Sequence, residues 1–124
     1  MLSAYRPSVA LVGFTLAVLF FLAGFPTDAS AHPPKDIQLV YDAASQKLTA
    51  TITHNSIAPT MHYIKQVEIK KNGAVISNNL YKSQPDKNSF TYTYSVPAAP
   101  GDVLEVTGTC SIYGSKTVTL AIPQ

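Results

Sequence analysis

Tryptophan is absent from the 124 residues, cysteine occurs once, at Cys110, and arginine once, at Arg6. A single cysteine excludes an intramolecular disulfide, so Cys110 is buried, paired with another molecule, or a ligand. Beyond residue 31 the only cations are eight lysines scattered along the chain. A nucleic-acid surface calls for a dense stripe of lysine and arginine, so that class of partner is excluded. Charge of either sign is scarce, with 13% charged residues and a formal net charge of +2. The few acids form no plausible catalytic pair, and no Gly-x-Ser-x-Gly or His-Glu-x-x-His pattern occurs, which disfavours a hydrolase.

What is present begins with a tripartite leader. Met1 to Ser8 carries Arg6 and no acid, Val9 to Phe25 is a 17-residue apolar run broken only by glycine and Thr15, and Ala29-Ser30-Ala31 fits a small-x-small cleavage site. Residues 1–31 therefore read as a signal peptide, with His32 as the first residue of the mature chain. The run slightly exceeds the usual apolar core of roughly 7–15 residues, so the alternative is an uncleaved membrane anchor. Either reading places residues 32–124 in the periplasm or outside the cell. Those 93 residues make one domain with one modest core, too small for a two-domain cofactor enzyme.

From residue 32 onward the apolar pattern has period two. Phe90, Tyr92, Tyr94 and Val96 alternate with small hydroxyl residues, and Leu48, Ala50, Ile52 and His54 share one face opposite Thr49, Thr51 and Thr53. Residues 37–41, 63–70, 74–80, 103–112 and 117–122 are likewise rich in β-branched and aromatic side chains, giving seven candidate strands. Turn chemistry separates them. Asn72-Gly73 is a type I′ hairpin signal, Ala99-Pro100-Gly101-Asp102 suits a tight turn, and Gln84-Pro85-Asp86 with Asn88 marks a polar loop. The expectation is an all-β, immunoglobulin-like antiparallel β-sandwich without the disulfide and tryptophan of antibody domains.

The residues able to carry chemistry are His32, His54, His62, Cys110 and Tyr113. Cys110 shares strand parity with Leu104, Val106 and Ile112, so an inert core thiol and a metal ligand are equally open. Each histidine alone reads as an ordinary imidazole. Yet His54 closes one strand and His62 precedes the next, and the ends of one inter-strand loop can converge as coordination requires.

Two segments carry a family resemblance. His62-Tyr63-Ile64, followed by the strand Lys65-Gln66-Val67-Glu68-Ile69, and Cys110-Ser111-Ile112-Tyr113-Gly114 resemble the two motif regions of the superoxide reductases, also called neelaredoxins and the iron domain of desulfoferrodoxins. The family patterns are His-Pro-x-x-x-x-His-Tyr-Ile and Cys-Asn-x-His-Gly. The resemblance implies an immunoglobulin-like sandwich with one mononuclear iron, four equatorial imidazoles and an axial thiolate, reducing superoxide to peroxide. It implies His62 and Cys110 as ligands, with His54 opening the first motif and His32, in a His-Pro-Pro context, standing where the first ligand falls. His54 lies eight residues before His62 instead of six, and Asn55 replaces the proline. Tyr113 takes the place of the fourth imidazole, and a phenol there either opens a position or supplies a hard oxygen that favours ferric iron. On this reading the partners are a small-molecule oxidant and an electron donor.

Two alternatives stand beside it. A cleaved chain would expose the α-amine and imidazole of His32, a histidine brace suited to copper. A sandwich rich in threonine and tyrosine would equally serve as a structural or adhesion module.

Overall fold

The computed structural model describes residues 32–124; the expected signal peptide, residues 1–31, lies outside the described residues. Seven strands follow one another: β1 (Asp36–Asp42), β2 (Lys47–Thr53), β3 (Ile64–Lys71), β4 (Ala74–Leu80), β5 (Ser89–Ser95), β6 (Val103–Cys110) and β7 (Ser115–Ala121). They form two antiparallel sheets, β1-β2-β5 and β4-β3-β6-β7, so the chain is an immunoglobulin-like β-sandwich in which β4 pairs with β3. Among the described residues no helix is long and apolar enough to cross a membrane.

The period-two pattern translates directly into burial. Leu48, Ala50, Ile52 and His54 are fully buried, as are Leu104 and Val106 on β6, and Ile64, Val67 and Ile69 meet them from β3. Phe90, Val96, Ile37 and Ile122 complete the core, and Tyr92 and Tyr94 pack at its margin. Truncating a central member such as Ile52 to alanine removes both transfer energy and packing, a cost of about 2–5 kcal/mol.

Register and turns follow the expected chemistry. Asn72 and Gly73 both take positive φ, 51° and 84°, as a two-residue type I′ connection between β3 and β4 requires. Lys47–Ser95, Ile52–Phe90 and Thr53–Ser89 pair across β2 and β5, which puts the end of β2 beside the start of β5. A bulge between Ile64 and Gln66 leaves Lys65 unpaired with β6, sets Ile64 opposite Cys110, and lets the Lys65 carbonyl accept from the Tyr81 amide at 2.9 Å.

The strand directions sort the connections into two ends. One end gathers the segment 32–35 with the loops 54–63, 81–88 and 111–114. The other gathers the tight links 43–46, 72–73 and 96–102.

The expected boundaries differ at both strands that flank the last turn: β7 starts at Ser115 instead of residue 117 and ends at Ala121 instead of 122, and β6 ends early. The strand stops at Cys110 instead of continuing to Ile112, because the Cys110 amide bonds to the Gly114 carbonyl at 2.9 Å and turns the chain back into β7. Ile112 consequently loses the parity it would share with Cys110 and is 60% exposed.

Candidate metal centre

His54, His62 and Cys110 converge at the loop-rich end. One ligand atom from each lies within 4.8 Å of the other two. His54 extends the buried face of β2 by one residue, and its amide donates to the Asn88 carbonyl at 2.8 Å as the strand ends. Cys110 closes the buried face of β6 and is a free thiol with 2% exposure. His62 is half-buried just before β3, held by its amide bond to the Ala58 carbonyl at 2.8 Å. Tyr63 and Ser111 then lock the loop carrying His62 to the loop after Cys110, through Ser111 N–H to Tyr63 O at 2.7 Å and Tyr63 N–H to Ser111 Oγ at 3.1 Å.

His32 reaches the same place from the start of the described residues. The ring centroids of His32 lie 5.5 Å from His54 and 5.8 Å from His62, all edge-on, while His54 and His62 are 4.7 Å apart. Two glycines make room for the segment that carries it. A Cβ on Gly114, whose φ is +88°, would stand 2.8 Å from Pro33 Cδ and 3.0 Å from Pro33 N. A Cβ on Gly108 would meet Ile37 at 3.2 Å and Pro34 at 3.4 Å. Glycine is thus required at 114 for Pro33 to lie against the turn after β6, whereas at 108 a Cβ would make the Ile37 and Pro34 side chains give by a few tenths of an ångström. His32 itself is exposed and rims a cleft with Pro33, Pro34, Lys35 and Asn55.

Tyr113 sits on the turn after β6 with 69% of its surface exposed, next to the equally solvent-facing Ile112. Among the five residues singled out by sequence, the structure therefore gathers the buried His54 and Cys110 and the half-buried His62 into one group. It sets the His32 ring against the two imidazoles and leaves Tyr113 at the surface.

The electrostatics of the cluster are those of a site short of positive charge. His62 Nε2 is buried and has no hydrogen-bond partner, a costly state for a ring nitrogen. Burial first, and then the neighbouring His54 and His32 imidazoles, hold the His62 pKa below the usual histidine value, so its ring is neutral at pH 7. A neutral imidazole is the form that ligates. His54 Nε2 lies 3.2 Å from the His32 carbonyl oxygen, and the Ile112 amide approaches Cys110 Sγ at 3.5 Å. Two imidazoles, one of them with an unpartnered nitrogen, and a thiol fit a borderline metal such as iron, copper or zinc better than magnesium or calcium.

Sequence reasoning passed over Gln84. It was legible only as part of a polar turn, yet its side chain is 4% exposed and contacts His54 at Nδ1, with Oε1 at 2.8 Å. No local spacing signals a glutamine that reaches a histidine 30 residues earlier in the chain.

Fold and site together define a class: an all-β sandwich with a buried histidine–cysteine group at one end that could hold a metal ion. No model of a known protein family matches the sequence. No curated protein matches it. Among solved structures the chain is similar to superoxide reductase (neelaredoxin) from Ignicoccus hospitalis, at 16% identity and a TM-score of 0.47, covering 74% of this chain and 80% of that one. A single-substitution variant of the same protein aligns at 17% identity and a TM-score of 0.48, covering 78% and 83%. The likeness is distant and concerns the fold.

Proposed function

We propose that the protein is an exported metalloprotein whose His54, His62 and Cys110 hold one iron ion, with His32 as a further ligand and Tyr113 as a candidate one, and that it reduces superoxide. The observation that carries this reading is the convergence of three ligand atoms within 4.8 Å around a buried, unpartnered imidazole nitrogen. The two motif resemblances, at His62-Tyr63-Ile64 and at Cys110 to Gly114, favour iron and superoxide over other metals and substrates. Export rests on the leader pattern of residues 1–31 and places the protein in the periplasm or outside the cell.

When bound, iron supplies a one-electron couple that an external donor refills, so that one electron and two protons convert superoxide to hydrogen peroxide. The chain's own residues prepare that chemistry. Cys110 brings a thiolate whose charge favours electron release, and the Ile112 amide at 3.5 Å is placed to moderate that charge. His62, kept neutral by burial, offers a lone pair at no cost in deprotonation. Pro33 packs over the turn of Gly114 and Pro34 over Gly108 of β6, and the segment they form carries the His32 ring against the other two.

A second reading is copper held by a histidine brace. It is favoured by the edge-on packing of His32 against both other rings and requires cleavage after Ala31. Element analysis of the protein purified from its exported fraction, with sequencing of its N-terminus and superoxide kinetics, separates the readings. Near-stoichiometric iron with superoxide reduction is the expected result. Copper lost on extension of a free His32 terminus would favour the brace, and no bound metal would leave a structural or adhesion module.

A further inference from the structure

We infer that Gln84 is the positioning residue that fixes which nitrogen of His54 faces the metal centre, by locking the imidazole in its Nδ1–H form. The inference rests on the metal-binding reading above and adds to it a residue outside the ligand set.

The neighbours of the Gln84 side-chain amide determine its orientation. Its Nε2 donates to two backbone carbonyls, His54 O at 2.9 Å and Asp86 O at 2.8 Å. Its Oε1 accepts from the Ile64 amide at 3.2 Å. Exchanging oxygen and nitrogen would set NH₂ against an N–H and an oxygen against two carbonyls, forfeiting three bonds in a site with 4% exposure. The atom 2.8 Å from His54 Nδ1 is therefore an acceptor, and Nδ1 must carry the proton.

A neutral ring has only one proton to place. With Nδ1–H committed to Gln84, a neutral His54 ring would carry its lone pair on Nε2, the nitrogen that would ligate, and that atom lies 3.2 Å from the His32 carbonyl oxygen. Nε2 and the His32 carbonyl oxygen lie in the same cluster as the unpartnered His62 Nε2, and in that tautomer a metal ion bound at Nε2 would take the place of the missing proton. Without Gln84 the ring would take its commoner Nε2–H form, donate to the His32 carbonyl, and withdraw its lone pair from the site. Gln84 is itself anchored, since its amide donates to Pro59 O at 3.1 Å, so the loops 54–63 and 81–88 are tied together around the His54 ring. An outer partner that fixes a ligand's tautomer is a recurring device of metal sites.

The test reads tautomer and affinity separately. Imidazole ¹⁵N resonances are recorded at pH 8 on the metal-free full chain, for the wild type, Gln84→Glu and Gln84→Leu, and each is then titrated with Co²⁺. The expected wild-type pattern is a pyrrole-type Nδ1 and a pyridine-type Nε2 at His54. Gln84→Glu gives up the two carbonyl bonds, and with them stability, but keeps an acceptor at Nδ1 and so keeps the pattern. Gln84→Leu shifts the proton to Nε2, and its Co²⁺ affinity falls about 10–100-fold below that of the wild type. A pyrrole-type Nε2 in the wild type, which needs no variant to fold, overturns the role of Gln84. So does an unchanged pattern in Gln84→Leu. A wild type that shows the Nδ1–H pattern and takes up no Co²⁺ overturns the metal reading instead.

Discussion

The two ends of the sandwich are both closed by clusters of polar side chains, and they differ in whether those clusters are satisfied. At the hairpin end Asn72 and Asp102 face each other across β3 and β6. Asn72 Nδ2 donates to Asp102 Oδ1 at 3.0 Å, Asn72 Oδ1 accepts from the Val103 amide at 2.9 Å, and Asp102 Oδ2 accepts from the Ala99 amide at 2.8 Å. Both of these side chains meet partners. At the loop-rich end His62 Nε2 meets nothing and His54 Nε2 meets a carbonyl. A native domain leaves few buried polar groups unmet, and among the described residues the one that is unmet lies in this cluster, which marks a place built for something other than stability.

The sharpest way to break this contrast is to remove the unmet nitrogen. His62→Leu is expected to lower metal affinity more than about 100-fold, beyond what outer partners alone are worth. The same change should leave the metal-free protein as stable or about 1 kcal/mol more stable, because an unsatisfied buried polar group disappears. Calorimetric metal titration and urea unfolding of the two proteins check both halves.

Gly114→Ala should weaken both properties. Its Cβ would enter the space of Pro33 at a residue with φ of +88°, so we expect a loss of about 1–3 kcal/mol in urea unfolding. Displacement of the His32 segment should lower metal affinity about tenfold, in line with the usual loss when a ligand's support is removed.

Asn72→Ala addresses the other end. It removes the side-chain bonds to Asp102 and Val103 from a residue with φ of 51°, at an expected cost of about 1–2 kcal/mol, with metal affinity unchanged.

A smaller effect is expected in acid. The Ala99 amide, and then the Asn72 side chain, hold the Asp102 carboxyl below the usual carboxylate value. A depressed folded pKa contributes stability above the unfolded value of 3.8, and that contribution is lost as pH falls through the folded value. Unfolding measured from pH 6 to 2 should therefore show a shallower loss in Asp102→Asn than in the wild type. The least change is expected from Tyr113→Phe, because the phenol, although a candidate ligand, is 69% exposed in the metal-free protein and should add less than about threefold to metal affinity.

Much of this contrast was legible in the chain itself, and the reasons are local. Period-two alternation placed Leu48, Ala50, Ile52 and His54 on one face, and all four are fully buried. Asn72-Gly73 specified its turn because few other pairs tolerate two successive positive φ values. The meeting of His54 and His62 followed from their places at the two ends of one loop. Alternation failed at Ile112, where a backbone bond from Cys110 to Gly114 ended the strand two residues early. It was also silent on Gln84, whose partners His54 and Ile64 lie 30 and 20 residues away. The orphaned state of His62 Nε2 is a property of packing and has no signature in the order of residues.

The most direct test of the account is the optical spectrum of the Co²⁺-loaded protein, compared with those of Cys110→Ser and Asn72→Ala. One equivalent of Co²⁺ with an intense sulfur-to-cobalt band, lost in Cys110→Ser and retained in Asn72→Ala, is the predicted result. A wild-type spectrum indistinguishable from that of Cys110→Ser would contradict it and remove the thiol from the site.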